Sequence, residues 1–332
     1  MKIAAATKSS PLHEDNFSEF DIAVIVPCYN EEMAITNVVE DFKRALPSAK
    51  IYVYDNNSND RTIEKAQEAG AIVRHEPRQG KGHVVRRMFS DIEADIYLMV
   101  DGDDTYDASA APLLVSLMVE QGVDMVNGAR REVAKEAYRL GHRTGNKMLT
   151  GLVKLVFGAE LKDMLSGYRV FSRRFVKSFP MMSSGFEIET ELTIHALELE
   201  LPVAEVYTDY SERGENSESK LNTISDGIRI LKTILMILKQ ERPMTVFGLA
   251  ALFCFFIAAI ALIPVLANYF ETGLVVRLPT FLTACGVILL GMLSLVCGLI
   301  LSTVTRGRQE AKRMQYLMLE SPHSIAENKS KL

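Results

Sequence analysis

The stretch Met99 to Asp107, MVDGDDTYD, sets four carboxylates, Asp101, Asp103, Asp104 and Asp107, directly behind the apolar residues Ile96, Leu98, Met99 and Val100. Such a run reads as a buried parallel strand, and ligand sites of open α/β sheets lie beyond the C-terminal ends of their strands. Carboxylates crowded there repel one another unless a cation sits among them. Hard oxygen ligands select Mg²⁺ or Mn²⁺, ions that also neutralise diphosphates. The spacing therefore predicts a metal and diphosphate site. Alone, a D-x-D is more often a solvated acidic turn, so its surroundings must carry the reading.

Those surroundings repeat strand, loop and helix. Asp21 to Pro27 (DIAVIVP) is a continuous apolar run, followed by CYNEE and helical spacing through Ile35, Val38, Val39, Phe42 and Leu46. A second strand, Lys50 to Tyr54, enters DNNSNDRT, where Asp60 or Ser58 could cap a helix from Thr62 to Ala69. A third, Ala71 to Arg74, leads through HEPRQGKGH to a helix from Val84 to Ile92. This alternation predicts a Rossmann-like α/β domain with a right-handed, mostly parallel sheet.

Four loops then fall on one edge of that sheet: Asn30, Glu31 and Glu32 on the first, Asp55 and Asn56 on the second, Lys81 on the third, Asp101 and Asp103 on the fourth. Singly, each has an ordinary explanation. Asp55 reads equally as a cap, and Glu31 or Glu32 as the acidic opening of a helix. Lys81, between Gly80 and Gly82, could reach a phosphate, but the Gly-Lys-Ser/Thr ending of a P-loop is missing. What distinguishes these residues is that all four loops converge on one crevice.

Beyond Asp107 the sequence predicts a helix from Ala111 to Gln121 and a strand from Asp124 to Gly128 that delivers Arg130 and Arg131. A basic segment follows, with Arg139, His142, Arg143 and Lys147, and then apolar residues from Met148 to Phe157 that cover more than one helical face, for lipid, for the spans or for the domain interior. Next come DMLSGYRVFSRRF (Asp163 to Phe175), GFEIETELTIHALE (Gly185 to Glu198), a strand near Val203 to Tyr207, and the loop Tyr210 to Lys220. Glu187, Glu189 and Glu191 read as one edge of a helix entering the site or as a solvated helix start. His195 reads as a packing or surface residue.

The chain has 332 residues, and its mildly positive mean hydropathy comes from two stretches, Pro243 to Phe270 and Leu278 to Thr305, that hold no Asp, Glu, Lys or Arg. Each exceeds the roughly 20 residues needed to span a bilayer. Lys232, Lys239 and Arg242 precede the first, and Arg306, Arg308, Lys312 and Arg313 follow the second, so both ends of the hairpin are expected in the cytosol, in the cytoplasmic membrane if the source is bacterial. Ile224, Ile228, Leu231, Leu235 and Leu238 recur at helical spacing, predicting an amphipathic helix in the headgroup layer. The expected organisation is a flexible lead over 1–20, without the apolar run of a signal peptide, a catalytic domain over 21–220, a juxtamembrane helix over 221–242, spans over 243–270 and 278–305, and a cytosolic basic and polar tail over 306–332, disordered from Glu320. Three of the four cysteines lie in the spans, with no metal spacing or disulfide framework, and a formal charge of −5 argues against a nucleic-acid partner. Gly286, Gly291 and Gly298 offer small surfaces for self-association into a homo-oligomer, although not at GxxxG spacing.

Taken in order, VPCYNEE, the Asp of YDNNSNDRT, GKG, DGDD, NGAR, SGYR and the Arg-to-Ser-Lys-Leu loop resemble the inverting, nucleotide-sugar-dependent glycosyltransferases with the GT-A fold. More narrowly they resemble the membrane-bound polyprenyl-phosphate glycosyltransferases, of the dolichyl-phosphate mannose synthase and undecaprenyl-phosphate glucosyltransferase kind. The resemblance covers roughly Asp21 to Lys239. It implies that Pro27, Asn30, Glu31 and Asp55 hold the nucleoside and that Asp101 and Asp103 are the D-x-D pair at the diphosphate and the Mg²⁺ or Mn²⁺ ion. Arg130, Arg143 and Arg213 would handle the phosphates of acceptor and leaving group. Two positions depart from the pattern. Many lipid-phosphate mannosyltransferases carry glutamine where this chain has Thr105, and the Arg-to-Lys loop is longer here, which leaves Lys220 without an assigned role.

The acceptor decides which further groups are needed. A sugar hydroxyl must lose a proton as it attacks and calls for a positioned carboxylate; a lipid phosphate is already anionic and calls for cations that bring two phosphate-bearing reactants together. The basic residues between Arg130 and Lys147 suit the second case. The expected partners are thus a UDP- or GDP-sugar, a polyprenyl phosphate and the bilayer. The rival readings are a membrane glycosyltransferase acting on a lipid or glycan hydroxyl, with Asp104, Glu187 or Glu189 as base, and a non-catalytic membrane-anchored nucleotide-sugar-binding scaffold. A dehydrogenase is disfavoured, because no G-x-G-x-x-G follows the first strand.

Overall fold

The computed structural model describes residues 4–5, 19–132, 151, 153–154, 158, 161–180, 188–211, 239 and 242–330. Arg143, Lys147, Arg213, Lys220, Glu187, nearly all of the expected juxtamembrane helix and most of the N-terminal lead lie outside them. The chain divides into two compact units, one of residues 1–227 with 312–332 and one of residues 228–311.

In the first unit the strands are β1 (Ala4–Ala5), β2 (Ile22–Cys28), β3 (Lys50–Asp55), β4 (Ile72–His75), β5 (Ile96–Met99), β6 (Met125–Glu132), β7 (Arg169–Ser172) and β8 (Val203–Tyr210). They form one sheet in the order β1-β8-β6-β7-β5-β2-β3-β4. Every neighbouring pair is parallel except those that β7 makes with β5 and β6. The helices α1 (Ile35–Ala45), α2 (Thr62–Glu68), α3 (Lys81–Asp91) and α4 (Ala111–Gln121) cross between parallel strands. From β2 the chain moves outward to β3 and β4 and then returns to place β5 on the other side of β2. That reversal opens a crevice where the loops after β2 and β5 diverge.

The sequence dictates most of this. Five of the seven residues of β2 are apolar and fully buried, as a strand covered on both faces must be. Pairing with β5 ends at Ile25↔Met99, so Pro27 lies past the last rung on that side. Helix α1 lays Ile35, Val38, Val39 and Phe42 on the sheet, with Leu114, Leu117 and Met118 of α4 in the same core. Each such side chain contributes about 1.5–3 kcal/mol on burial. On the other face Phe89, Tyr97, Phe171, Phe175 and Phe179 make edge-on and stacked ring contacts.

Four features differ from the sequence expectation. The lead expected to be flexible supplies an edge strand, Ala4–Ala5, paired in parallel with β8. Arg169–Ser172 is an antiparallel strand in the middle of the sheet, inside a segment with no strand signal of its own. Strand β6 runs on through Glu132, so Arg130 and Arg131 stand on it rather than beyond it. The tail expected to be disordered forms a helix, Pro322–Ser330, whose Ile325 joins the core.

The second unit contains the helix Pro243–Thr272 and the greater part of the helix Leu278–Leu317. Both are long and apolar enough to cross a membrane, and only 11% and 17% of their most apolar windows are buried in the protein, which fits membrane anchoring and not a soluble core. Ala251, Ala258 and Val265 on one helix and Ala284, Gly291, Gly298 and Thr305 on the other are buried at intervals of seven, the repeat of a left-handed helix pair. Gly291 and Gly298 pack on Phe255 and Phe247 of the partner helix, so these glycines close the hairpin itself.

Candidate active site

The loops at the crevice are fastened to one another by side chains whose types the sequence singled out. Asn30 and Asn57 adopt left-handed backbone conformations, which asparagine tolerates. The Asn30 N–H donates to Ser58 Oγ (2.9 Å), and its own Oδ1 accepts from the Asn59 N–H (2.8 Å). Glu31 N–H donates to Thr62 Oγ1 (2.9 Å), while Glu32 N–H reaches Asp60 Oδ2 (3.2 Å) and Glu32 Oε2 accepts from Arg61 N–H (3.0 Å). Loops one and two are therefore a single body. Asp60 also accepts from Thr62 N–H (3.0 Å), so it organises the start of α2 as a cap does.

Asp55 is buried and accepts from the N–H groups of Asn57 (3.0 Å) and Ser58 (3.2 Å), with His75 Nδ1 at 3.2 Å. Its geometry is that of a turn-forming carboxylate that shapes the second loop. Asn56 reaches the third loop: its amide donates to the carbonyls of Glu76 (3.0 Å) and Arg78 (2.8 Å), and its Oδ1 accepts from Gly80 N–H (2.7 Å). Gly80, at φ 132°, turns the chain into α3, which begins at Lys81. That is three residues before the apolar periodicity does.

Lys81 is thereby aimed into the crevice. Its ammonium, with 11% of the side chain exposed, donates to Asp101 Oδ1 at 2.5 Å and to Glu189 Oε1 on the helix Ile188–Glu198. Burial alone would lower its proton affinity, but the charges of Asp101 and Glu189 outweigh that and hold its pKa well above the ordinary lysine value. The Asp101 carboxylate also lies against Gly167, where any Cβ would overlap it. Gly167 N–H donates to Tyr106 Oη (2.9 Å), so the loop before β7 forms one wall of the carboxylate's niche.

Asp103 is buried and its Oδ1 accepts from Thr105 Oγ1 (2.6 Å). Asp104 bends back in a left-handed conformation to accept from Asn37 (3.2 Å), and Asp107 caps the short 3₁₀ turn at Ala108–Ala110 through Ser109 N–H (2.9 Å). The four acids thus separate into two that stand at the strand end and two that shape the loop. The field there is negative: the buried Cys28 thiol is pushed up first by burial and then by Glu31, Asp55, Asp101 and Asp103.

A divalent ion fits this arrangement in a particular way. Among the described residues no group of three or more His, Cys, Asp or Glu is placed to hold a metal. Asp101 and Asp103 offer two hard carboxylates, a set that would leave the remaining positions of a divalent ion to water and to oxygens from outside the protein.

On β6 Arg130 makes a two-point contact with Asp163 (Nε–Oδ2 2.7 Å, Nη2–Oδ1 2.9 Å) and lies 5.5 Å from the Tyr210 ring centroid. Burial would raise the Asp163 carboxyl, but Arg130 keeps it below the ordinary aspartate value. A cleft of about 310 Å³ opens beside the pair, lined by Ala129, Arg130, Arg131, Lys162, Asp163 and Tyr207. The structure ties Asn30 to the second loop, gathers Glu31, Asp55, Asp101 and Asp103 about Cys28 with Lys81 on Asp101, and pairs Arg130 with Asp163, where Arg130 and Asp101 both bear on Tyr106. Pro27 is the next-to-last residue of β2, still paired with Tyr54 of β3. Glu189 and Gly167 complete the niche of Asp101; the sequence offered Glu189 only as one of three acids on a helix and Gly167 only within SGYR, with nothing to join either to Asp101.

A mostly parallel sheet with an acidic D-x-D behind its fifth strand, followed by two long apolar helices, defines a GT-A-like glycosyltransferase domain with a C-terminal hairpin. Among solved structures the chain is similar to glucosyl-3-phosphoglycerate synthase of Mycobacterium tuberculosis in complex with Mn²⁺, uridine diphosphate and glucosyl-3-phosphoglycerate, with a TM-score of 0.56, 20% identity and coverage of 72% of this chain and 88% of that one, a likeness of fold. Residues 23–179 match the family described as "Glycosyl transferase family 2". The chain is 57% identical to protein RfbJ of Shigella flexneri over 128 residues, which are 38% of this chain and 99% of that one. It is 30% identical to a dolichyl-phosphate hexose transferase of Haloferax volcanii over 222 residues, 67% of this chain and 96% of that one. This chain belongs to glycosyl transferase family 2, and it is a glycosyltransferase.

Proposed function

We propose that the protein transfers a hexose or N-acetylhexosamine, with inversion, from a UDP- or GDP-sugar to a polyprenyl phosphate such as undecaprenyl or dolichyl phosphate at the cytosolic face of the membrane. The observation that supports this most is the charge pattern: Asp101 is held with the buried Lys81 at the strand end, and Arg130, paired with Asp163, lines a cleft together with Arg131 and Lys162. In this reading the first is the station for a diphosphate and the cationic cleft a second one for another anion. The kinship with a dolichyl-phosphate hexose transferase points the same way.

In this reading the first two loops, with Pro27, Asn30, Glu31 and Asp55, seat the nucleoside, and Lys81 faces the diphosphate. A Mg²⁺ or Mn²⁺ ion at Asp101 and Asp103 would supply Lewis-acid stabilisation of the leaving nucleoside diphosphate. Thr105 keeps the Asp103 carboxylate turned through its hydroxyl. Arg130, its plane fixed by Asp163 and Tyr210, receives the lipid phosphate together with Arg143, and Arg213 meets the charge on the departing diphosphate. The acceptor oxygen is already ionised, so it attacks the anomeric carbon directly and no side chain takes a proton. The catalytic domain over 21–220 is carried to the lipid by the helix at 221–242 and the spans at 243–270 and 278–305, with both termini cytosolic. A polyprenol cannot come to a soluble enzyme, because each methylene exposed to water costs about 0.8 kcal/mol.

The test is to incubate the purified full-length protein with a panel of UDP- and GDP-sugars, undecaprenyl phosphate and Mn²⁺, followed by mass spectrometry of the lipid fraction. One donor is expected to yield a sugar-phosphate lipid. Nucleotide-sugar binding with no turnover on any acceptor would point instead to a scaffold.

A further inference from the structure

Lys81 has two partners where one would neutralise it, and the second, Glu189, sits on a helix far along the chain. The Glu189 side chain is 7% exposed, and its carboxylate meets the Lys81 ammonium. Its position is fixed from behind. Thr193 Oγ1 donates to Glu189 O (3.0 Å) and accepts from Arg169 Nη1 (2.8 Å), while the same buried guanidinium donates to the carbonyls of Met164 (2.6 Å) and Ser166 (2.9 Å). The loop so anchored is the one that lays Gly167 against Asp101. Asp101, Lys81 and Glu189 are therefore held as one three-membered charge cluster, with the ammonium in the middle.

A buried ammonium cannot be left without a counter-charge. If Asp101 alone held Lys81, any divalent cation taking Asp101 would strand the lysine, and the carboxylate would be reluctant to release it. Glu189 removes that penalty. We propose that Glu189 is a positioning residue that retains Lys81 when Asp101 turns to a divalent cation, so that one carboxylate serves the ammonium and the other is released for the metal. The ammonium then stays in the crevice, facing a diphosphate, in both states. The inference rests on the donor reading above and adds to it a residue whose effect passes wholly through Lys81.

The test is Mn²⁺ binding, read from the electron paramagnetic resonance signal of the free ion, to detergent-solubilised full-length protein with and without UDP or GDP. Wild type, Glu189→Gln, Lys81→Met and the double variant are compared, with a thermal melt of each as the folding control. Glu189→Gln is expected to weaken Mn²⁺ binding by roughly tenfold or more, the size of a lost charge-assisted partner. Lys81→Met is expected to bind Mn²⁺ at least as tightly as wild type, and in that background the glutamine is expected to change nothing beyond about twofold. Should Glu189→Gln fold poorly, Glu189→Asp keeps the charge, shortens the reach and gives the same comparison.

An unchanged Mn²⁺ affinity in Glu189→Gln overturns the inference. So does an equal loss whether Lys81 is present or replaced, since a ligand or a distant charge would act without the lysine. Wild-type protein that binds Mn²⁺ neither alone nor with UDP or GDP overturns the donor reading and this inference together. Wild-type binding with an indifferent Glu189→Gln overturns this inference alone.

Discussion

The acidic loop assigns different work to residues of the same type. Asp104 and Asp107 are engaged by Asn37 and Ser109, whereas Asp101 and Asp103 stand at the strand end with Lys81 and Thr105 as partners. Sequence made the pair and the lysine legible, because strand ends and loop order place them together. It could not show which of three glutamates meets Lys81, since that depends on how a distant helix docks. Nor could it show that Gly167 abuts Asp101. Gly167→Ala is expected to lower kcat/KM at least tenfold, with the melting temperature within a few degrees of wild type, because the added methyl displaces the Asp101 carboxylate and small displacements of reacting groups are costly. Thr105→Val is the gentler change. It removes one hydrogen bond to Asp103 without changing shape, and steady-state kinetics should show about a fivefold loss, the equivalent of roughly 1 kcal/mol.

At the scale of elements, β2 to β6, β8 and α1 to α4 were legible from apolar periodicity, whereas β1 and β7 were not. Arg169–Ser172 is short and begins with a fully buried arginine, and its place between β5 and β6 is set by tertiary pairing. The neighbouring helix Ile188–Glu198 carries His195 into an aromatic pocket, 5.1 Å from the ring centroids of both Phe175 and Phe179. Burial, aided by the nearby Lys312 charge, pulls its pKa down to about 3. The unfolded chain binds the proton from about pH 6.5 downward and the folded one does not, so this contribution to stability is complete above pH 6.5 and is lost as the pH falls toward 3. The slope is at most about 1.4 kcal/mol per pH unit. Denaturant unfolding at pH 7 and pH 5 should show wild type losing more stability than His195→Gln; equal losses would mean that the imidazole is not the titrating group.

The whole molecule joins chain segments that sequence order keeps apart. The catalytic unit includes Lys312–Leu332, and there Tyr316 Oη donates to Asp124 Oδ2 (2.8 Å), while Lys312 Nζ meets Glu198 Oε2 (2.5 Å). Asp124 is fully buried and also receives Ser172 Oγ (2.7 Å) and two guanidinium nitrogens of Arg174 (2.5 and 2.8 Å). A polar tail gave no hint of this, because polar composition does not reveal a docked helix end. Tyr316→Phe removes one donor from that carboxylate and should destabilise the catalytic unit by about 1–3 kcal/mol in denaturant titrations, with donor affinity unchanged.

The choice of acceptor is central, and it is tested most directly by offering the purified protein undecaprenyl phosphate and undecaprenol side by side, with the preferred nucleotide sugar and Mn²⁺. The account predicts sugar on the phosphate-bearing lipid alone, through a phosphodiester, and loss of that product when a chelator is added. Sugar on the alcohol, or transfer that continues undiminished with the metal removed, would contradict it.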